Sequence, residues 1–163
     1  MATETYIPLA TVTLAASSSA VYFTSISQDY SDLVLVFECE GSNSNRINGN
    51  LNSDTGANYS MVSMENDGGS TVSDSGSGSA YFHAGVCRDT SRSINIVNIM
   101  GYSDTDKHTS ILSRENAPAA RLGARAMRWA NTAAVTSVAV SCSNGTFDSG
   151  STFKLFGIHG EVV

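Results

Sequence analysis

The amino-acid sequence predicts an all-β protein: a jelly-roll-like β-sandwich of about ten short antiparallel strands. Three observations predict it. Residues 33–37, Leu-Val-Leu-Val-Phe, are an unbroken apolar run bracketed by polar turn formers. The run is too short for a helix and has the composition of a strand covered on both faces. Residues 152–158 close the chain with period-two alternation and are its natural neighbour. Elsewhere, short apolar segments recur between Gly, Ser, Asn and Asp turns with no repeat signature.

Taken in order, residues 6–14 alternate loosely and carry Pro8, which cannot donate to a ladder, so they read as an edge strand. Residues 17–19 turn, and residues 20–26 form a second strand with Val21 and Phe23 on one side and Tyr22, Thr24 and Ile26 on the other. The central strand follows and runs out toward water at Glu38-Cys39-Glu40. Residues 46–51 suit a strand or a tight hairpin, since Asn48-Gly49 fits a type I′ turn. After a turn at 52–56 comes a short return strand at 59–64. Residues 66–79 read as a flexible Gly/Ser loop, too poor in apolar residues to order itself. A loop of that length in a compact domain is functional or is ordered by a neighbouring subunit.

Strands are expected at 80–86, at 93–100 (Ile94, Ile96 and Asn98 against Asn95, Val97 and Ile99) and at 108–113, after a turn at 104–107. Residues 116–130 stay ambiguous. Pro118, with Leu122, Ala126 and Trp129 at helical spacing, suits a short helix. Alternation over 124–129, with Ala124, Ala126 and Arg128 against Arg125, Met127 and Trp129, suits a strand. Residues 135–142 are a strand with Val138, Val140 and Cys142 inward.

At 163 residues the chain reads as one domain, residues 1–163, long enough to bury roughly two-thirds of its extended surface. The net charge of −6 repels phosphate backbones and argues against nucleic acid as the main partner. No apolar run approaches the roughly 20 residues that a membrane helix needs. The opening residues lack a basic n-region and an apolar h-segment, so no secretory leader is expected. Cys39, Cys87 and Cys142 are odd in number and lack C-x-x-C spacing. They read as buried free thiols of a protein made in a reducing cytoplasm, with no disulfide.

No G-x-S-x-G elbow is present, and His83, His108 and His159 are scattered, so no nucleophile–base arrangement is expected. Asp104-x-Asp106-x-His108, and Asn52-x-Asp54 with Asn58, read as Asx-type turns; the second lacks the Glu of a calcium loop where Ser63 stands. His83-x-x-x-Cys87 has no second pair of ligands for zinc. The expectation is therefore no catalytic residue, no metal and no cofactor. Charge placement is more informative: Lys107, Arg114, Arg121, Arg125 and Arg128, five of the nine basic residues, share one segment with Trp129. Arg and Trp are favoured interface anchors, so Arg114, Arg121, Arg125, Arg128 and Trp129 are candidate interface residues. The competing reading is a solvated face with weak ion pairs. Trp129, Tyr102 and Tyr59 are the candidates for stacking on a sugar.

Several phrases carry a resemblance. They are Tyr6-Ile-Pro-Leu-Ala-Thr-Val-Thr-Leu14, Tyr30-Ser-Asp-Leu-Val-Leu-Val36, Asn52-Ser-Asp-Thr-Gly-Ala-Asn-Tyr-Ser60, Ser110-Ile-Leu-Ser-Arg114, Trp129-Ala-Asn-Thr-Ala-Ala-Val-Thr-Ser137 and Gly150-Ser-Thr-Phe-Lys-Leu-Phe-Gly-Ile158. In this order, over nearly the whole chain, they resemble a family of small tailed-phage virion proteins frequent in phages of aquatic bacteria and cyanobacteria. The sequence departs from that family's usual pattern at Asn50-Leu51 and in residues 159–163. The resemblance implies a non-enzymatic β-sandwich module without a defined catalytic motif. It implies a capsid decoration (cement) protein on the outside of the head, a homotrimer whose partner is the major capsid protein or another virion protein. The Arg114–Trp129 residues would then be a subunit or capsid interface, and assembly would take place in the bacterial host cytoplasm. The alternative is a tail-fibre or baseplate module recognising host-surface glycans.

Overall fold

The computed structural model describes residues 4–66, 69–118 and 121–160. They form twelve strands: β1 (Tyr6–Thr13), β2 (Ala20–Phe23), β3 (Asp32–Cys39), β4 (Asn45–Leu51), β5 (Tyr59–Asn66), β6 (Thr71–Ser79), β7 (Phe82–Cys87), β8 (Ser93–Met100), β9 (Thr109–Ala117), β10 (Arg121–Trp129), β11 (Val138–Cys142) and β12 (Thr152–Ile158). Two antiparallel sheets result, ordered β1-β12-β3-β8-β9-β10-β5-β6 and β2-β11-β4-β7. No helix occurs among the described residues, so none there is long and apolar enough to cross a membrane.

The strand order separates a core fold from an addition. Without β5, β6, β9 and β10, the chain alternates between the sheets except at β4 and β7, which are neighbours in the small one, giving β1-β12-β3-β8 over β2-β11-β4-β7. That is the two-sheet alternation of a jelly roll. The pair β5–β6 is inserted between β4 and β7, and β9–β10 between β8 and β11. The two hairpins join through β10 and β5 and extend the large sheet beyond β8.

β3 lies between β12 and β8, as its apolar run requires. Leu33, Leu35 and Phe37 point inward, and Phe37 stacks on Phe153 at 5.3 Å, which Phe147 meets edge-on at 5.0 Å. The small sheet contributes Val21, Phe23, Ile47, Leu51, Phe82, Val138 and Val140 to the same core. Each large side chain so buried contributes about 1.5–3 kcal/mol. Val34, on the opposite face of β3, is buried as well, between Phe156 and Asn98 in register.

Pro8 lies in edge strand β1, where the register shifts between Pro8 and Ala10. Elsewhere the structure departs from expectation for identifiable reasons. Of the two readings for residues 46–51 the strand holds: Asn48-Gly49 is the middle of β4 and no hairpin turn, and the Phe82 ring occupies the space that a Cβ on Gly49 would need. Much of the expected flexible loop at 66–79 is β6, an exposed edge strand paired with β5; positions 67 and 68 lie outside the described residues. Its ladder is made by backbone groups, so a lack of apolar side chains does not prevent it. The ambiguous segment is strand β10, with positions 119 and 120 outside the described residues, as are 161–163 of the closing segment. On the free edge of β7, Asn95 substitutes for a neighbouring strand: its Oδ1 accepts the Val86 N–H at 2.9 Å and its Nδ2 donates to Val86 O at 3.1 Å.

Candidate functional site

Alternation along β10 divides the arginine-rich segment between two faces. Arg121, Gly123, Arg125, Met127 and Trp129 point inward, whereas Leu122, Ala124, Ala126 and Arg128 point to solvent. Inward positions at one end of the extension, Tyr59, Ile111, Met127 and Trp129, join the apolar core, whereas paired charges fill those at the other end. Arg125, only 3% exposed, bonds Glu115 Oε2 through Nη1 at 2.6 Å and Glu65 Oε2 through Nη2 at 2.5 Å. Arg121 bonds Glu65 and forms an ion pair with Glu115, and Arg46 of β4 reaches Glu65 at 3.4 Å. Burial raises the Glu65 pKa, but the Arg121 hydrogen bond and the charges of Arg121, Arg125 and Arg46 outweigh it and hold the carboxyl below its usual range. A carboxylate so held cannot serve as a general acid near neutral pH.

Trp129 is buried too. It stacks on Tyr59 at 6.5 Å and donates its Nε1–H to Asp54 Oδ2 at 2.6 Å. The Trp129 bond, the Asn58 amide and the Gly56 N–H together hold the Asp54 carboxyl below its usual range against a smaller opposing effect of burial. Tyr59 and Tyr102 are equally enclosed, so none of the three aromatics expected to stack on a sugar is available to one. Of the five expected interface residues, the fold buries Arg125 and Trp129 and engages Arg121 with glutamates, leaving Arg114 and Arg128 exposed on the outer face. Arg114 there donates to Asn98 Oδ1 at 3.2 Å.

That outer face is the part of the structure most suited to a partner. Among the described residues nothing covers the extension on this side, and its ladder lines up Val62–Ala126–Leu112–Asn98 in one row and Met64–Ala124–Arg114–Ile96 in the next. A third row is Asn66–Leu122–Asn116–Ile94. Val62, Met64 and Leu122 are 57%, 61% and 65% exposed. The small Ala124 and Ala126 form the floor of a shallow groove walled by Val62, Met64, Met100, Leu112 and Arg114. Contiguous exposed apolar surface of this kind marks an interaction site. The same face carries Arg114 and Arg128 on the extension, Asp32 and Glu38 on β3 and Lys154 on β12, and Glu38 already faces Arg92 at 3.5 Å.

The expected turns are internal ties. Asn52 Oδ1 accepts the N–H groups of Thr136 and Ser137, Asp54 accepts from Gly56, Asn58 and Trp129, and Asp104 pairs with Lys107 at 2.6 Å. Among the described residues, no three His, Cys, Asp or Glu side chains converge as a metal-holding group. Sequence reasoning missed the outer-face apolar positions of β5 and β9, for which period-two alternation carried a signal. No family model matches the chain, and no curated protein matches it.

Proposed function

We propose that this chain is a non-enzymatic structural module that assembles through the open face of its large sheet, and that it serves tailed phages as a capsid decoration protein, trimeric on the outside of the head. The observation that carries the docking part is the apolar, uncovered outer face of the two inserted hairpins. Arg114 and Arg128 on the extension and Asp32 on β3 offer opposite charges for a head-to-tail contact between copies, and heterologous contacts of that kind give rings where the rotation closes. The phage assignment rests on the resemblance of the phrases quoted above. It implies the major capsid protein or another virion protein as the second partner, and a location in the virion after assembly in the host cytoplasm. The glycan-binding tail module lacks its expected support, because the aromatics that would stack on sugar are buried.

Copy number in purified particles tests the proposal. Quantitative gel analysis is expected to find this chain in hundreds of copies per virion. Tens or fewer would transfer it to the tail, and absence from particles would end the virion reading.

A further inference from the structure

The sequence holds two Asn-Gly pairs, and the fold puts them in opposite settings. Asn48-Gly49 lies inside β4, which β11 and β7 flank, with Gly49 opposite Val140 on one side and Phe82 on the other. Ladders on both sides hold its backbone extended, and the Phe82 ring lies over Gly49. Asn144-Gly145 instead lies in the connection between β11 and β12, and both residues are exposed. The residues on either side of this pair are tied down. Ser143 N donates to Arg46 O at 3.0 Å, and Thr146 N donates to Ser42 Oγ at 3.0 Å. Between them, neither Gly145 N nor the Asn144 side-chain amide has a hydrogen-bond partner among the described residues.

The peptide group that joins the two residues is engaged at its oxygen. Asn45 Nδ2 donates to Asn144 O at 2.7 Å, and Asn43 O holds the same amide at 2.8 Å. Loss of the Gly145 amide proton leaves a negative charge shared between its nitrogen and Asn144 O. A donor already aimed at that oxygen stabilises the charge as it develops. Gly145 has φ +97°, and a Cβ there would stand 2.5 Å from Ser42 Oγ, so the position takes glycine. The missing Cβ also leaves the nitrogen unhindered toward Cγ of Asn144, which the chain itself holds within ring-closing reach.

We propose that Asn144 is a modification site of the folded protein: with help from the Asn45 amide, Asn144-Gly145 closes to a succinimide, which water opens to aspartate or isoaspartate. In the first step hydroxide removes the Gly145 N–H proton and the nitrogen attacks Cγ of Asn144. The bond from Cγ to the side-chain nitrogen breaks. That nitrogen takes a proton from water, which restores the hydroxide, and leaves as ammonia. In the second step the oxygen of a water adds to one imide carbonyl, one ring C–N bond breaks, and the water's proton passes to Gly145 N. Cleavage at Cγ restores the main chain with an aspartate side chain. Cleavage at the backbone carbonyl gives isoaspartate, in which the main chain runs through the former side chain. The sum is one amide and one water giving one carboxylic acid and ammonia, with no change of oxidation state. The chain gains a negative charge, and isoaspartate inserts an extra carbon into the main chain between the ties at Ser143 and Thr146. The site does not depend on the virion reading.

The reduced full chain, whose three cysteines are free, is incubated at neutral and at mildly alkaline pH, both folded and in concentrated urea, and followed by peptide mapping with detection of isoaspartate. For the folded chain the expected result is the mass change from amide to acid at position 144, faster at the higher pH, with Asn48 unchanged. In urea both pairs should convert. Asn45→Ala, and Asn45→Asp, which keeps the side chain's size but loses its N–H donors, should keep the fold by circular dichroism. Each should slow conversion of the folded chain about fivefold, the rate equivalent of one lost hydrogen bond, and leave the rate in urea at the parent value. An Asn144 that persists in the folded chain as long as Asn48 does would overturn the site. Folded Asn45 variants that convert at the parent rate or faster would overturn the part given to Asn45. None of these outcomes bears on copy number in particles.

Discussion

At His83 the imidazole is buried on β7 near the ion cluster of the extension. Burial pushes its pKa down to about 4 from the ordinary 6.5; Arg125, Arg46 and Arg121 push the same way, and Glu65 opposes them. The sign of the consequence follows from linkage. Below pH 6.5 the unfolded chain takes up a proton that the folded chain refuses until about pH 4. The stability contributed by neutral His83 is therefore complete above 6.5 and is lost progressively as pH falls to about 4. Below that, Glu65 and Asp54, whose carboxyls are depressed in the folded state, continue the decline. The Tm of the parent should fall across this window, and His83→Asn should flatten the fall. A parent whose Tm is level between pH 6.5 and 4 would remove His83 from the account. The sequence placed His83 on a strand correctly. It could not show that Arg46, Glu65, Arg121 and Arg125 converge there, because they come from β4, β5 and β10 and meet only through sheet order.

The same limit acts on whole elements. β10 satisfies two periodicities at once: Leu122, Ala126 and Trp129 suit a helix, while Arg121, Gly123, Arg125, Met127 and Trp129 suit a strand. Its register against β5 and β9 decides, because only the strand brings Arg125 against Glu65 and Glu115. β6 was illegible for the opposite reason, since an edge strand held by its backbone leaves little apolar signature. β3 and β12, whose runs meet in the core, were legible almost residue by residue. The two faces of β10 give a direct test. Arg125→Glu sets a third carboxylate beside two buried ones, and breaking such a pair costs about 3–5 kcal/mol. Arg128→Glu, on the exposed face, should stay within about 0.5 kcal/mol of the parent. Urea denaturation of both variants measures the difference; equal effects would mean that the inward and outward assignments are wrong.

For the molecule as a whole, the jelly roll supplies the frame and the inserted hairpins supply the surface that a partner can use. A fold does not by itself carry a function, so the proposal turns on that surface. Apolar side chains at Val62 and Leu112, in one row of the ladder with Ala126 between them, cost stability to no neighbour within the chain and are open to solvent. A chain of net charge −6 repels its copies at long range, so the proposed association would be driven by burial of that row and by pairing of Arg114 and Arg128 with acids of the next subunit. Val62→Glu combined with Leu112→Glu adds two carboxylates at the centre of the patch, and on the proposed reading it should leave the chain monomeric and unable to bind heads. Circular dichroism and Tm should stay near those of the parent, because both positions are exposed. Tyr22→Glu, an equally exposed change on the small sheet, serves as the control and should leave assembly intact. Sedimentation of the three proteins decides. If the double variant sediments as the parent does and still binds heads, docking occurs elsewhere and the open face is no more than an exposed side of the sheet.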